Sequence, residues 1–160
     1  MTTIEIRPAD LGDAPALALL LRELGWFTHM NAGDAASPTT ENTDRVMLHL
    51  EKCLANSSHS VYVAQDDEGE IVGYTAVHWL PYLFMTGPEG FISELFVRET
   101  ARGYGLGARL LAEVKTEALT RGVSRLSLLN GRHRESYQRQ FYEKQGWEER
   151  PYMANFVYHL

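Results

Sequence analysis

The stretch that most constrains this chain is ETARGYGLGARLL, residues 99–111, with Gly103, Gly105 and Gly107 at every second position. Alternating glycine builds neither a good strand nor a good helix, because each one adds unfolded-state entropy and packs nothing. It does let a backbone take positive φ and approach a bulky group closely. The run before it, FISELFV (91–97), alternates as a strand does. The run after it aligns Gly107, Leu111, Val114 and Ala118 on one helical face, with Gly122 just past the end. The loop thus lies where a strand hands over to a helix, whose first turn exposes unpaired N–H groups and the positive end of its dipole. Phosphate is the natural ligand for such an end.

The pattern elsewhere predicts a mixed α+β fold. Residues 3–7 read as a strand, and Asp10 or Asp13 caps a helix with Ala14, Leu17, Leu21 and Leu24 on one face and Gly25 as its stop. GWFTHMNAGDAASPTTEN has no period and reads as a long loop, followed by a helix over 41–55 with Val46, Leu50 and Cys53 aligned. SVYVAQD and IVGYTAVHW form a hairpin about the DEGE turn. LPYLFMTGPEG is a second, apolar loop. RLSLLN predicts a fifth strand, a short helix follows over 136–145, and MANFVYHL predicts a final strand. No repeat or linker divides the 160 residues, so one domain spanning 1–160 is expected.

Charge narrows the partners. The net charge of −6 argues against a duplex-binding module, which must neutralise phosphates. Residues 1–80 hold 4 Lys/Arg against 12 Asp/Glu, and residues 81–160 hold 11 against 9. The glycine loop is therefore in the half that suits an anionic ligand. No apolar run nears the roughly 18 residues of a membrane span. Cys53 is the single cysteine, which leaves no intrachain disulfide. A cytoplasmic protein is expected, with neither nucleic acid nor membrane as a partner.

GYGLGA fits a dinucleotide fingerprint through Gly103, Gly105 and Ala108, but that motif follows the first strand of a βαβ unit and needs an acid after the next strand. Here the next strand ends in Asn130, and the chain opens with hairpins. With Arg102 included, the stretch becomes R-x-x-G-x-G, which resembles the acetyl-CoA loop of the GNAT N-acetyltransferases. FYEKQGW (141–147) is similar to that family's FYEKxGF block, and the element order follows the family from IEIRPAD to the end.

The resemblance implies a mostly antiparallel sheet flanked by helices, splayed between strands four and five by a bulge in strand four. It implies backbone pairing of Phe96, Val97 and Arg98 with the pantetheine arm. Arg102, Gly103, Tyr104, Gly105, Leu106, Gly107 and Ala108 would wrap the pyrophosphate, and Asn130 would lie beside the thioester. Tyr142 would approach the CoA sulfur as general acid. Many members carry Asn where this chain has Glu135, and the basic run around it (Arg132, Arg134, Arg139) either serves the 3′-phosphate of CoA or solvates a helix face, the second reading being preferred.

The residues themselves supply the remaining roles. Glu94 stands in an otherwise apolar strand, sharing a face with Ile92 and Phe96, and is either the catalytic base or a paired structural carboxylate. Ser93 has no base motif around it to make it a nucleophile. None of the six histidines falls in a metal spacing, so no metal is expected. His78 could face the acceptor, and the apolar loops contribute Trp26, Phe27, Trp79 and Tyr82 to its pocket or to the core. The expected reaction is acetyl transfer from acetyl-CoA to a primary amine within a ternary complex, with a homodimer left open. The alternative is a non-catalytic acyl-CoA sensor or interaction module that kept the loop and lost the chemistry.

Overall fold

Asp10 and Asp13 start the first helix together. Asp10 Oδ1 accepts from Gly12 N–H, while Asp13 Oδ2 accepts from Asp10 N–H, a reciprocal capping box. Asp13 is also held by both terminal nitrogens of Arg7, at 2.7 and 2.9 Å, which ties the first strand to the first helix. The computed structural model describes residues 3–23 and 39–160. Trp26 and Phe27, expected in the acceptor pocket, lie outside the described residues, as do Leu24 and Gly25.

The elements run β1 (Glu5–Pro8), α1 (Ala14–Glu23), α2 (Thr39–Leu54), β2 (His59–Gln65), β3 (Ile71–Leu80), β4 (Glu89–Val97), α3 (Leu106–Thr120), β5 (Arg125–Leu128) and α4 (Glu135–Gln138). The chain forms two compact units, residues 1–128 and 129–160.

The first unit is a five-stranded sheet in the order β1-β2-β3-β4-β5. The first three pairings are antiparallel and β4–β5 is parallel. One face is covered by α1 and α2, through Leu17, Leu20 and Leu50 against Val61, Val63 and Tyr74. The other carries α3, whose Leu106 and Leu110 pack with Ala64 and Val72. The middle of the sheet is therefore covered on both faces, which is why β3 is buried along almost its whole length.

Two irregularities in the sheet position the site. Ala76 lies opposite Glu94 but Val77 lies opposite Ile92, so Ser93 is an extra residue, a β-bulge on β4. The β4–β5 ladder covers only Glu89–Ile92 against Arg125–Leu128. From Ser93 onward, β4 is laddered to β3 alone. The bulge also reverses the expected alternation. Ile92 and Glu94 oppose adjacent residues of β3, so they point to opposite faces rather than sharing one.

The second unit differs from expectation in two ways. The helix predicted over 136–145 is only α4, because Gln140 adopts φ 55 and interrupts it, and the chain resumes as one 3-10 turn, Glu143–Gln145, before Gly146 at φ 83. The strand predicted for MANFVYHL does not form. Residues 153–160 are exposed throughout and belong to none of the five strands. Without ladder partners an extended segment leaves its backbone groups to water, and alternation alone does not hold a strand.

Candidate acetyl-transfer site

The glycine loop is built as its sequence requires. After the turn Glu99–Ala101, Gly103 takes φ 87 and Gly105 φ 74, the latter as the N-cap of α3. A Cβ at either position would meet nothing within 4 Å, so glycine is needed there for its φ and not for space. No side chain caps the helix, and Tyr104 projects between the two glycines with 76% of its surface exposed. The open N–H groups of the first turn of α3 are the feature that suits a phosphate. Arg102 is folded back, with Nε donating to Val97 O at 3.1 Å. Leu106 is buried in the core, while Gly107 and Ala108 are half-buried in the first turn.

The three residues expected to pair with pantetheine are not equivalent. Arg98 N–H donates to Val72 O, and Arg98 O accepts from Ala101 N–H, so its main chain is already engaged within the fold. Its side chain is engaged too, in an ion pair with Glu23 at 2.9 Å. Alternate residues of an antiparallel strand turn their backbone groups to opposite edges. With Arg98 facing β3, Val97 faces away from it and Phe96 faces it. Phe96 instead packs its ring on Tyr74, with centroids 5.7 Å apart.

Glu94 is half-buried on the face covered by α1 and α2. Tyr74, almost fully buried, donates its hydroxyl to Glu94 Oε1 at 3.2 Å. Burial raises the Glu94 carboxyl above its ordinary range, while the Tyr74 hydrogen bond and the nearby His49 on α2 hold it down. The same hydrogen bond, with burial as the larger cause, pushes the Tyr74 phenol far above the usual tyrosine value. Cys53 lies close enough to Glu94 to feel its charge, and its thiol is raised, first by burial. It is a packing residue, not a thiolate.

Below the bulge, His78 Nε2 lies 2.8 Å from Ser93 Oγ. The His59 ring meets His78 edge-on at 4.8 Å, and Phe91 lies against it at 6.4 Å. Burial, and then the neighbouring His59, lower the His78 pKa. Trp79, expected in the acceptor pocket, points to the opposite face. Its indole N–H donates to Ser60 Oγ and its ring lies under Arg121, beside α3, so it serves the core. Tyr82 is exposed in the loop 81–88, with its ring 5.6 Å from Phe84.

A second carboxylate was not foreseen from the sequence. Glu89 is buried at the start of β4, where Arg125 donates to it at 2.6 Å and the Ser127 hydroxyl donates to its other oxygen. With both oxygens occupied by β5, it fastens the parallel ladder. A Glu beside Gly90 in an apolar segment was the available signal.

In the second unit, Asn130 Oδ1 accepts from Ser136 Oγ at 3.1 Å, and its Nδ2 is buried without a hydrogen-bond partner. Such an orphaned donor fits a ligand carbonyl. Tyr142 is half-buried, edge-on to Phe141 at 5.0 Å and to Trp147 at 6.1 Å. Burial raises its pKa, opposed by Arg134, so the phenol keeps its proton at neutral pH. Arg132 is a solvated residue paired with Glu149 at 2.7 Å. Among the described residues, no three His, Cys, Asp or Glu side chains are grouped to hold a metal ion, and no helix is long and apolar enough to cross a membrane.

The profile of the Acetyltransferase (GNAT) family matches residues 21–147. The chain belongs to the GNAT acetyltransferase family. Over 146 residues it is 28% identical to the uncharacterized N-acetyltransferase YhfO of Bacillus subtilis (strain 168), covering 91% of each chain. Among solved structures, it resembles a ribosomal-protein-alanine N-acetyltransferase from Brucella melitensis biovar Abortus 2308, with TM-score 0.70 and 22% identity over 99% of this chain and 100% of the other. It also resembles the aminoglycoside acetyltransferase meta-AAC0020 from an uncultured soil metagenomic sample, with TM-score 0.73 and 23% identity over 98% and 96%. At these identities the two structures establish the GNAT fold, and the profile establishes an acetyltransferase family. The mostly antiparallel sheet flanked by helices, with its bulged fourth strand, is as the family resemblance implied, and the structure adds that β4 and β5 run parallel.

Proposed function

We propose that this GNAT domain transfers an acetyl group from acetyl-CoA to a primary amine by direct attack within a ternary complex. The observation that carries the reading is the uncapped start of α3 behind two left-handed glycines, which supports diphosphate binding by Arg102 to Ala108. The backbone of Val97 and the orphaned Asn130 Nδ2 support binding of the pantetheine amides. Phe96 and Arg98 are left out of this role because their main chains turn to β3. The profile match runs across both compact units, which supports reading 1–160 as one acetyltransferase domain.

Glu94 is the general base in this reading. A lysine-like amine has a pKa of ~10.4, so freeing its lone pair at neutral pH costs on the order of 4–5 kcal/mol. A carboxylate whose pKa is raised by burial is a stronger base than an exposed one. Tyr142, held protonated, gives its proton to the departing thiolate. His78 and Tyr82 are assigned to the acceptor side. The two solved relatives carry names with different acceptors, which supports an amine class and selects none within it.

The test is a calorimetric titration with acetyl-CoA, followed by a thiol-release screen against polyamines, peptide lysines, aminoglycosides and amino acids. Binding with release for one class is the expected outcome, and Tyr142→Phe should then lower kcat by about 10²-fold or more. Binding without release to any amine favours the sensor, and absence of binding overturns the donor.

A further inference from the structure

The sequence offers Ser93 no base, but the fold supplies one. Three observations converge on this residue. It is the extra residue of the β4 bulge, so its side chain is set by the bulge and not by strand alternation. It is exposed, at the point where the β4–β5 ladder has just ended. Its Oγ is 2.8 Å from His78 Nε2, with His78 fixed between the rings of His59 and Phe91. A serine hydroxyl in hydrogen-bond contact with an imidazole is a nucleophile–base pair in geometry, whatever fold carries it.

We propose that Ser93 is an acyl acceptor in this protein, taking an acetyl group onto Oγ with His78 as its base. With its proton on Nδ1, His78 leaves Nε2 to accept the Ser93 hydroxyl proton. Oγ then forms an ester bond to the acetyl carbonyl carbon. The thioester C–S bond breaks and its electron pair leaves on the CoA sulfur. The imidazolium returns the proton to that thiolate, so free CoA and O-acetylserine are the products. The donor rests on the reading above. The pairing of Ser93 with His78 does not. Low basicity of His78, from burial and the adjacent His59, keeps the imidazole neutral and able to act at pH 7.

The experiment uses the whole chain, incubated separately with acetyl-CoA and with p-nitrophenyl acetate, an activated ester that needs no CoA site. Peptide mass spectrometry then reads acetyl on the peptide carrying Ser93, with acetylation of Lys52 and Lys144 as the uncatalysed background. Acetyl on Ser93 from both donors is expected, absent in Ser93→Ala and reduced about 10²-fold or more in His78→Gln. The exposed Ser93→Ala variant keeps the test open should His78→Gln not fold. Acetylation from neither donor, or at an unchanged level in His78→Gln, overturns the proposal. Labelling by the ester alone overturns the thioester step. If calorimetry meanwhile finds acetyl-CoA bound, that failure belongs to Ser93 and leaves the proposed function standing.

Discussion

The Tyr74 hydroxyl donates to Glu94 Oε1 at 3.2 Å, from the middle of β3 to the strand beside it. This contact is among the forces that keep a half-buried carboxyl ionisable, since burial alone drives its pKa upward. Tyr74→Phe should therefore raise the Glu94 pKa further. A base works only when deprotonated, so the acid limb of the pH–rate profile should move to higher pH. Folding should weaken by about 1 kcal/mol for the lost hydrogen bond. An acid limb that stays in place in this variant would mean that Glu94 is not the titrating base.

Glu94→Gln carries an opposite consequence for stability. The folded pKa lies above the unfolded value of 4.5, so the native state binds more protons than the unfolded chain. Stability from this group is present below 4.5 and is lost as pH rises through the folded pKa. Glutamine keeps an acceptor for Tyr74 and has nothing to ionise. The variant should match wild type in thermal melts near pH 4 and exceed it at neutral pH, while losing amine acetylation.

Gly105 isolates backbone from side chain, because a Cβ there meets nothing within 4 Å. Gly105→Ala should cost about 1–2 kcal/mol from forcing an L-residue into the left-handed region. If the loop cradles the diphosphate, acetyl-CoA affinity should fall as well, by calorimetry. A normal dissociation constant in a destabilised Gly105→Ala would remove the loop from the binding site.

Glu117 on α3 accepts from Ser60, from Tyr62 and from Arg121, each at 2.8 Å, and Ser60 in turn accepts from Trp79. Glu117→Ala strands three donors at once and should cost about 1–3 kcal/mol in denaturant unfolding, with an unchanged m-value. Glu149→Ala, which breaks the exposed pair with Arg132, should leave the midpoint where it is.

The order of elements through β5 was legible because apolar period is a local signal. Helices α1, α2 and α3 appear where Leu17, Leu50 and Leu111 recur on one face. The glycine loop was legible because positive φ has a residue signature, and Gln140 escaped for the converse reason, taking φ 55 with no glycine to mark it. The partners of Glu94 and Ser93 were not legible. Tyr74 and His78 reach them through strand register, which is set across the 81–88 loop and then shifted by one bulged residue. Neither quantity is written in the apolar pattern. Trp79 shows the same gap, since an aromatic next to a loop carries no mark of which face it will take.

Bulging at Ser93 gives β4 a parity. Before it, odd-numbered Phe91 shares a face with His78, and after it even-numbered Glu94 and Phe96 share that face with Tyr74. Removing Ser93 alone would close the bulge and leave Ile92 opposite Val77 and Glu94 opposite Ala76, so the carboxylate would keep its face while the hydroxyl beside His78 would be lost. The extra residue therefore adds a hydroxyl to the site at a point where the face of the carboxylate does not depend on it.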